Sequence, residues 1–157
     1  MKRILTAFEQ LGLSLKIGEL QFNGEGYLPI TLNDQHTIHC QINENRDAVA
    51  LYSEVADLTS IKSANLLFKL LTENFLNQDT HQFNFNIHPE THWLLLSRSI
   101  DESVINSNTL EVLINNLNDA IITWKKHIND LLQDTLTKTK YQDKHQIPAN
   151  KFSFISM

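Results

Sequence analysis

One cysteine, three prolines and four glycines are all that the 157 residues hold of the types that cross-link, break or loosen a chain. A lone thiol, Cys40, excludes an internal disulfide framework. Long apolar runs are missing too. The Leu-rich stretch at 61–76 is interrupted by Lys62, Lys69 and Glu73, so nothing approaches the roughly 20 residues that cross a bilayer. The opening residues Met1, Lys2 and Arg3 lead into a helical pattern carrying Glu9 and Gln10 rather than into the apolar segment of a secretion signal, and the expectation is a cytoplasmic chain without membrane insertion. No GxSxG, P-loop or GxGxxG is present, and the "GEG" at 24–26 precedes a strand, the wrong context for a phosphate.

Positive charge is in short supply over most of the chain. Residues 1–134 hold 9 Lys and Arg against 17 Asp and Glu, net −8, whereas residues 135–157 hold 4 against 1, net +3, which together give the overall −5. An acidic body disfavours a phosphate backbone, so no nucleic-acid partner is expected. The expected organisation is one domain over residues 1–134 and a basic, flexible C-terminal tail over 135–157, with Lys138, Lys140, Lys144 and Lys151. A domain of this size buries roughly 70% of the unfolded chain's surface on folding, enough for a real core.

Ile4, Leu5, Phe8 and Leu11 recur at helical spacing and Gly12 follows where a left-handed cap is wanted, which predicts a helix over 2–11. "YLPITL" (27–32), "HTIHCQI" (36–42) and "AVALYSEV" (48–55) are strand-like runs joined by "NDQ" and "NENRD", a three-stranded meander. Pro29 cannot donate to a ladder, so the first strand belongs at an edge. Thr59 or Ser60 can cap a helix over 61–76, in which Ile61, Ala64, Phe68, Leu71 and Phe75 form one face and Leu66 and Leu70 lie well away from its centre. "QFNFNI" (82–87) and "HWLLLSRS" (92–99) read as a hairpin across the turn-like "HPET".

In the last helix Asn108 with Glu111 gives a capping-box start, and Leu110, Ile114, Leu117, Ile121, Trp124, Ile128 and Leu131 step alternately by four and three. Such a seam suits a coiled coil or a helix lying on a sheet, and the preceding strands supply the sheet. The fold class is α+β, in the order α-β-β-β-α-β-β-α: a sandwich of helices on a twisted antiparallel sheet.

Apolar residues are in surplus. Trp93, Leu94, Leu95 and Leu96 run together and point to both faces of their strand, and helix 61–76 carries a second apolar stripe. Either both faces are buried within one chain or a second chain covers one of them. Three helices are few for two faces of five strands, so a homodimer is expected, with Leu66, Leu70, Trp93, Leu94, Leu95 and Leu96 at its interface.

Catalytic constellations do not assemble. His36 and His39 point to opposite faces of one strand and cannot close around one metal. His88 and His92 flank the hairpin turn without a third ligand placed to join them, and Cys40 alternates with Ile38 and Ile42 as a small core residue would. Asp101 and Glu102 begin the loop into the last helix. No enzyme, metal or cofactor is expected.

Taken in order, "ILTAFEQLGL", "LQFNGEGYLPITLND", "LLFKLLTENFL", "THWLLLSRSI" and the helix from "NTLEVLINNL", in an acidic chain of this length, make the sequence resemble the type III secretion chaperones of the Tir-chaperone kind, over about residues 4–132. The resemblance implies the fold above, a homodimer built through the second helix and the strands after it, no catalysis and no nucleotide. It also implies that the N-terminal segment of one or more secreted effectors binds in extended form and is kept soluble and ready for export, with the secretion ATPase as a further partner. In such proteins the first helix and neighbouring sheet supply apolar patches, here Ile4, Leu5, Phe8, Leu28, Ile30 and Leu32, although these residue types also build ordinary cores. The segment beyond about 135 has no counterpart in the resemblance. Readings from other classes are a dimeric small-ligand-binding or regulatory module of the same architecture, and a metal-dependent enzyme using His88 and His92.

Overall fold

The computed structural model describes residues 1–32, 35–59, 64–76 and 80–143. Its elements are α1 (Lys2–Leu15), β1 (Tyr27–Leu32), β2 (His36–Asn43), β3 (Ala48–Asp57), α2 (Ala64–Leu76), β4 (Asn84–Ile87), β5 (Trp93–Asp101) and α3 (Ser107–Asp143). The five strands form one antiparallel sheet in the order β1-β2-β3-β5-β4. This is the expected α+β order, with β1 at an edge and β4 and β5 paired as a hairpin.

Period-two alternation decides which sheet face is buried. Leu28 and Ile30 of β1, Ile38 and Cys40 of β2, Val49 and Leu51 of β3, and Leu94, Leu96 and Ile100 of β5 turn inward to one core. Over them lies α3, whose Leu110, Ile114, Leu117, Ile121, Trp124 and Ile128 are all buried, so the four-and-three seam serves a sheet. Trp124 meets Phe85 of β4 edge-on at 4.7 Å between ring centroids. Ile4, Phe8 and Leu11 of α1 complete the core, with Phe22 edge-on against Phe8 at 4.9 Å.

Several boundaries differ from the sequence expectation for identifiable reasons. Gly12 does not end α1; the chain turns at Lys16, in left-handed conformation, and the Ile17 amide returns to the Gly12 carbonyl at 3.2 Å. Glycine is needed at 12 because a Cβ there would overlap the Gly18 carbonyl oxygen. The cap of α3 is Asn106, not Asn108: its Oδ1 accepts the Thr109 amide at 2.9 Å, while Thr109 Oγ1 accepts the Asn106 amide at 2.9 Å. Thr109 thus plays the reciprocal part expected of Glu111. The helix then continues through Asp143, nine residues past the expected domain boundary. Ser60, Ile61 and the remainder of the expected start of α2 lie outside the described residues, as do 144–157 of the expected tail.

Candidate functional site

Four of the six residues expected to meet an effector are core. Ile4, Phe8, Leu28 and Ile30 are buried and Leu32 is half-buried, leaving Leu5 exposed on α1. Six-residue strands and amphipathic helices close on themselves first, and inward positions of β1 are the ones that α1 and α3 need. What β1 offers outward is its free edge. The Ile42 amide bonds to the Gly26 carbonyl at 2.8 Å, so ladder alternation directs Leu28 and Ile30 toward β2 and turns the backbone of Pro29 and Thr31 outward. Pro29 therefore costs the sheet nothing, and it leaves Thr31 as the donor available to an added strand.

The dimer-directed residues divide as well. Leu94 and Leu96 belong to the inward face of β5 and Trp93 and Leu95 to the opposite one, where both are half-buried. That explains the unbroken apolar run: a strand buried on one face and partly covered on the other. On α2 the sequence reading is reversed. Leu66 and Leu70 are packed inside the chain, whereas Phe68 (75% exposed), Leu71 (67%) and Phe75 (87%) face outward. Asn74 sets this orientation, because its Oδ1 accepts the Phe85 amide at 2.6 Å and its Nδ2 donates to the Phe85 carbonyl at 3.1 Å. One side chain thereby satisfies both outward backbone groups of Phe85 and covers the β4 edge. Leu66, Leu70 and Asn74 follow at steps of four on that side of the helix. Between α2 and the hairpin a groove of about 340 Å³ is lined by Leu67, Leu70, Leu71, Phe85, Asn86, Ile87 and Leu94.

The second sheet face carries no helix among the described residues. A ladder of rings crosses it: His39 stacks on Tyr52 at 5.0 Å and 17° and on Tyr27 at 5.9 Å and 24°, while the Tyr27 hydroxyl meets His39 Nδ1 at 2.6 Å. Burial between the rings pushes the His39 pKa below its ordinary value, against the pull of nearby Glu54. His36 lies 3.1 Å from Lys125 Nζ, and burial together with that cation lowers its pKa too.

Burial pushes the Cys40 thiol up to about 12, which holds it as a neutral core group. His88 Nδ1 accepts the Glu90 and Thr91 amides at 3.3 Å and so organises the hairpin turn. Glu102 accepts the Met1 amine and the Arg3 amide, which hold its carboxyl below the usual range and tie β5 to the start of α1. No helix among the described residues is long and apolar enough to cross a membrane.

The sequence model of the Tir chaperone protein (CesT) family matches residues 6–125. No curated protein matches the chain. Among solved structures, that of the HopA1–SchA chaperone–effector complex superposes with a TM-score of 0.67 at 15% identity, covering 80% of this chain and 97% of the other. The ExsC–ExsE complex gives 0.68 at 14% identity, covering 80% and 92%. The Yersinia pestis type III secretion chaperone SycH, bound to a stable fragment of YscM2, gives 0.61 at 19% identity, covering 79% and 99%. At these identities the superpositions establish a shared fold.

Proposed function

The chain belongs to the Tir chaperone (CesT) family, and from that premise we propose that it is a non-catalytic chaperone that holds the N-terminal segment of one or more type III secreted proteins in extended form. Its place is the bacterial cytoplasm, where the bound protein stays soluble and ready for export, and the secretion ATPase is the partner to which the loaded complex would pass.

The observation that carries this reading is the apolar surface the chain leaves unsatisfied. Phe68, Leu71 and Phe75 all face outward from α2, with Leu71 sharing a groove with Ile87 of β4, and large apolar side chains grouped in this way on a surface mark an interaction site. A second copy covers that face in the proposed homodimer, in which Trp93 and Leu95 of the open sheet face flank the contact. The extended segment is left with Leu5 on α1, the edge of β1 at Thr31 and the ring ladder of Tyr27, His39 and Tyr52. Main-chain bonds along an edge give affinity there, and alternate side chains give selectivity.

Affinity capture of the tagged chain from its native bacterium, followed by brief proteolysis and mass spectrometry of what stays bound, tests the reading. The expected product is the N-terminal portion of one or a few larger proteins, protected while the remainder is digested. A folded protein that protects no peptide from a cell expressing its secretion system would refute it.

A further inference from the structure

Arg98 interrupts the inward face of β5. It lies between Leu96 and Ile100 in the alternation and opposite Leu51 in the register, positions where every neighbour is apolar and buried. It opens into a cleft of about 660 Å³ between β5, the turn at 80–82 and the first half of α3. The guanidinium has no hydrogen-bond or ion-pair partner among the described residues. Among the described residues no Asp or Glu lines the cleft, although the chain has 18 acidic residues against 13 basic ones, and His81 is the other titratable group of that described lining.

A partly buried cation without a counter-charge is an expensive arrangement, and a planar fork of donors suits a carboxylate through two parallel bonds. The cleft offers more than charge. Val104 and Val112, both more than half exposed, flank its mouth, Leu113 is buried in its wall, and the Gln82 and Asn116 amides can pair with a peptide backbone. At its rim His81 and Gln82 both adopt left-handed backbone (φ 51° and 69°), closed by the Phe83 amide on the Thr80 carbonyl at 2.9 Å. Two successive non-glycine residues in that region are strained, and such strain is held where a site needs it.

We propose that this cleft reads an acidic side chain two residues from an apolar one, on the same face of the extended bound segment of the secreted protein, with the carboxylate on Arg98 and the apolar group between Val104 and Val112. The inference rests on the chaperone reading and adds a charge-selective subsite to it. An extended segment presents such a pair on one of its faces, and an acidic chaperone otherwise repels an acidic partner, so a cleft whose described lining carries Arg98 and no carboxylate sets which segments are accepted.

The probe is the segment protected in the capture experiment, made as a labelled peptide, with each Asp and Glu changed in turn to Asn or Gln. Wild-type chain should lose about tenfold in affinity for one of these peptides, and Arg98→Gln about tenfold for the unchanged peptide. Combined, the two changes should cost no more than either alone. Arg98→Lys, which keeps the charge and loses the fork, should fall between. Thermal melts of both variants matching the wild type exclude a folding defect; if Arg98→Gln melts low, the affinities of Arg98→Lys for the same peptide series decide the matter. Unchanged affinity, or losses that simply add, overturns the subsite while the chaperone reading stands. A wild-type chain that protects no peptide brings down both readings, and that failure is visible before any variant is made.

Discussion

His39 shows what one residue's surroundings do to its chemistry. Held between Tyr27 and Tyr52, its ring is partly withdrawn from water, and its pKa falls for that reason more than Glu54 raises it. In the unfolded chain the same imidazole takes up a proton near the ordinary value of about 6.5. The unfolded state therefore binds more protons in the window below 6.5, so this contribution to stability is complete above it and is lost as the pH falls through it. We expect the melting temperature of the wild type to drop more steeply between pH 7.0 and 5.5 than that of His39→Phe, which keeps the ring and cannot titrate. Parallel curves would assign the acid sensitivity elsewhere, with His36 beside Lys125 the next group to examine. Among the chemistry-bearing residues, Cys40 was legible from the sequence because strict alternation with Ile38 and Ile42 leaves it no outward path. Arg98 was not, because a single cation in an apolar alternation looks the same whether its strand end is open to water or roofed by α3.

At the scale of elements, Asn74 is the side chain that fastens α2 to the sheet. Its amide replaces the strand that β4 lacks on its outer side, and removing it leaves the Phe85 amide and carbonyl without partners in a half-buried place. Asn74→Ala should lower the unfolding free energy by about 2 kcal/mol in urea with an unchanged m-value, within the range for orphaned backbone groups. By comparison, Asn86→Ala, which loses an exposed bond to Ser97 Oγ, should cost about 0.5 kcal/mol or less. Helix α3 was legible down to its buried positions because a four-and-three seam permits one orientation. α2 was not, because its apolar residues nearly encircle it and hydrophobicity alone cannot choose a side. The choice belongs to the line Leu66, Leu70, Asn74, and a lone amide in register with two leucines was the available signal.

On the scale of the whole molecule, reversing α2 changes which residues can join two chains. Leu66→Asp or Leu70→Asp would put a carboxylate into the core and unfold the domain, so neither reports on association. Phe68→Asp with Phe75→Asp changes outward positions. The mass measured by light scattering after gel filtration is expected to fall from twice the chain mass of 18.1 kDa to one, with the far-ultraviolet circular dichroism retained. An unchanged mass would remove α2 from the interface. The apolar surplus was visible in Trp93, Leu94, Leu95, Leu96 and the crowded helix, since more large apolar residues than one core can hold show in the composition of the segments alone. By itself the sequence determined the order of elements, the edge position of β1 and the buried seam of α3, because these follow from short-range periodicity and from the missing amide of Pro29. Only the tertiary structure decided which side of α2 faces water, that Ile4, Phe8, Leu28 and Ile30 are spent on the core, and that Arg98 opens into a cleft with no carboxylate among its described lining residues. Each of those depends on which elements meet across the chain, and local spacing carries no information about that.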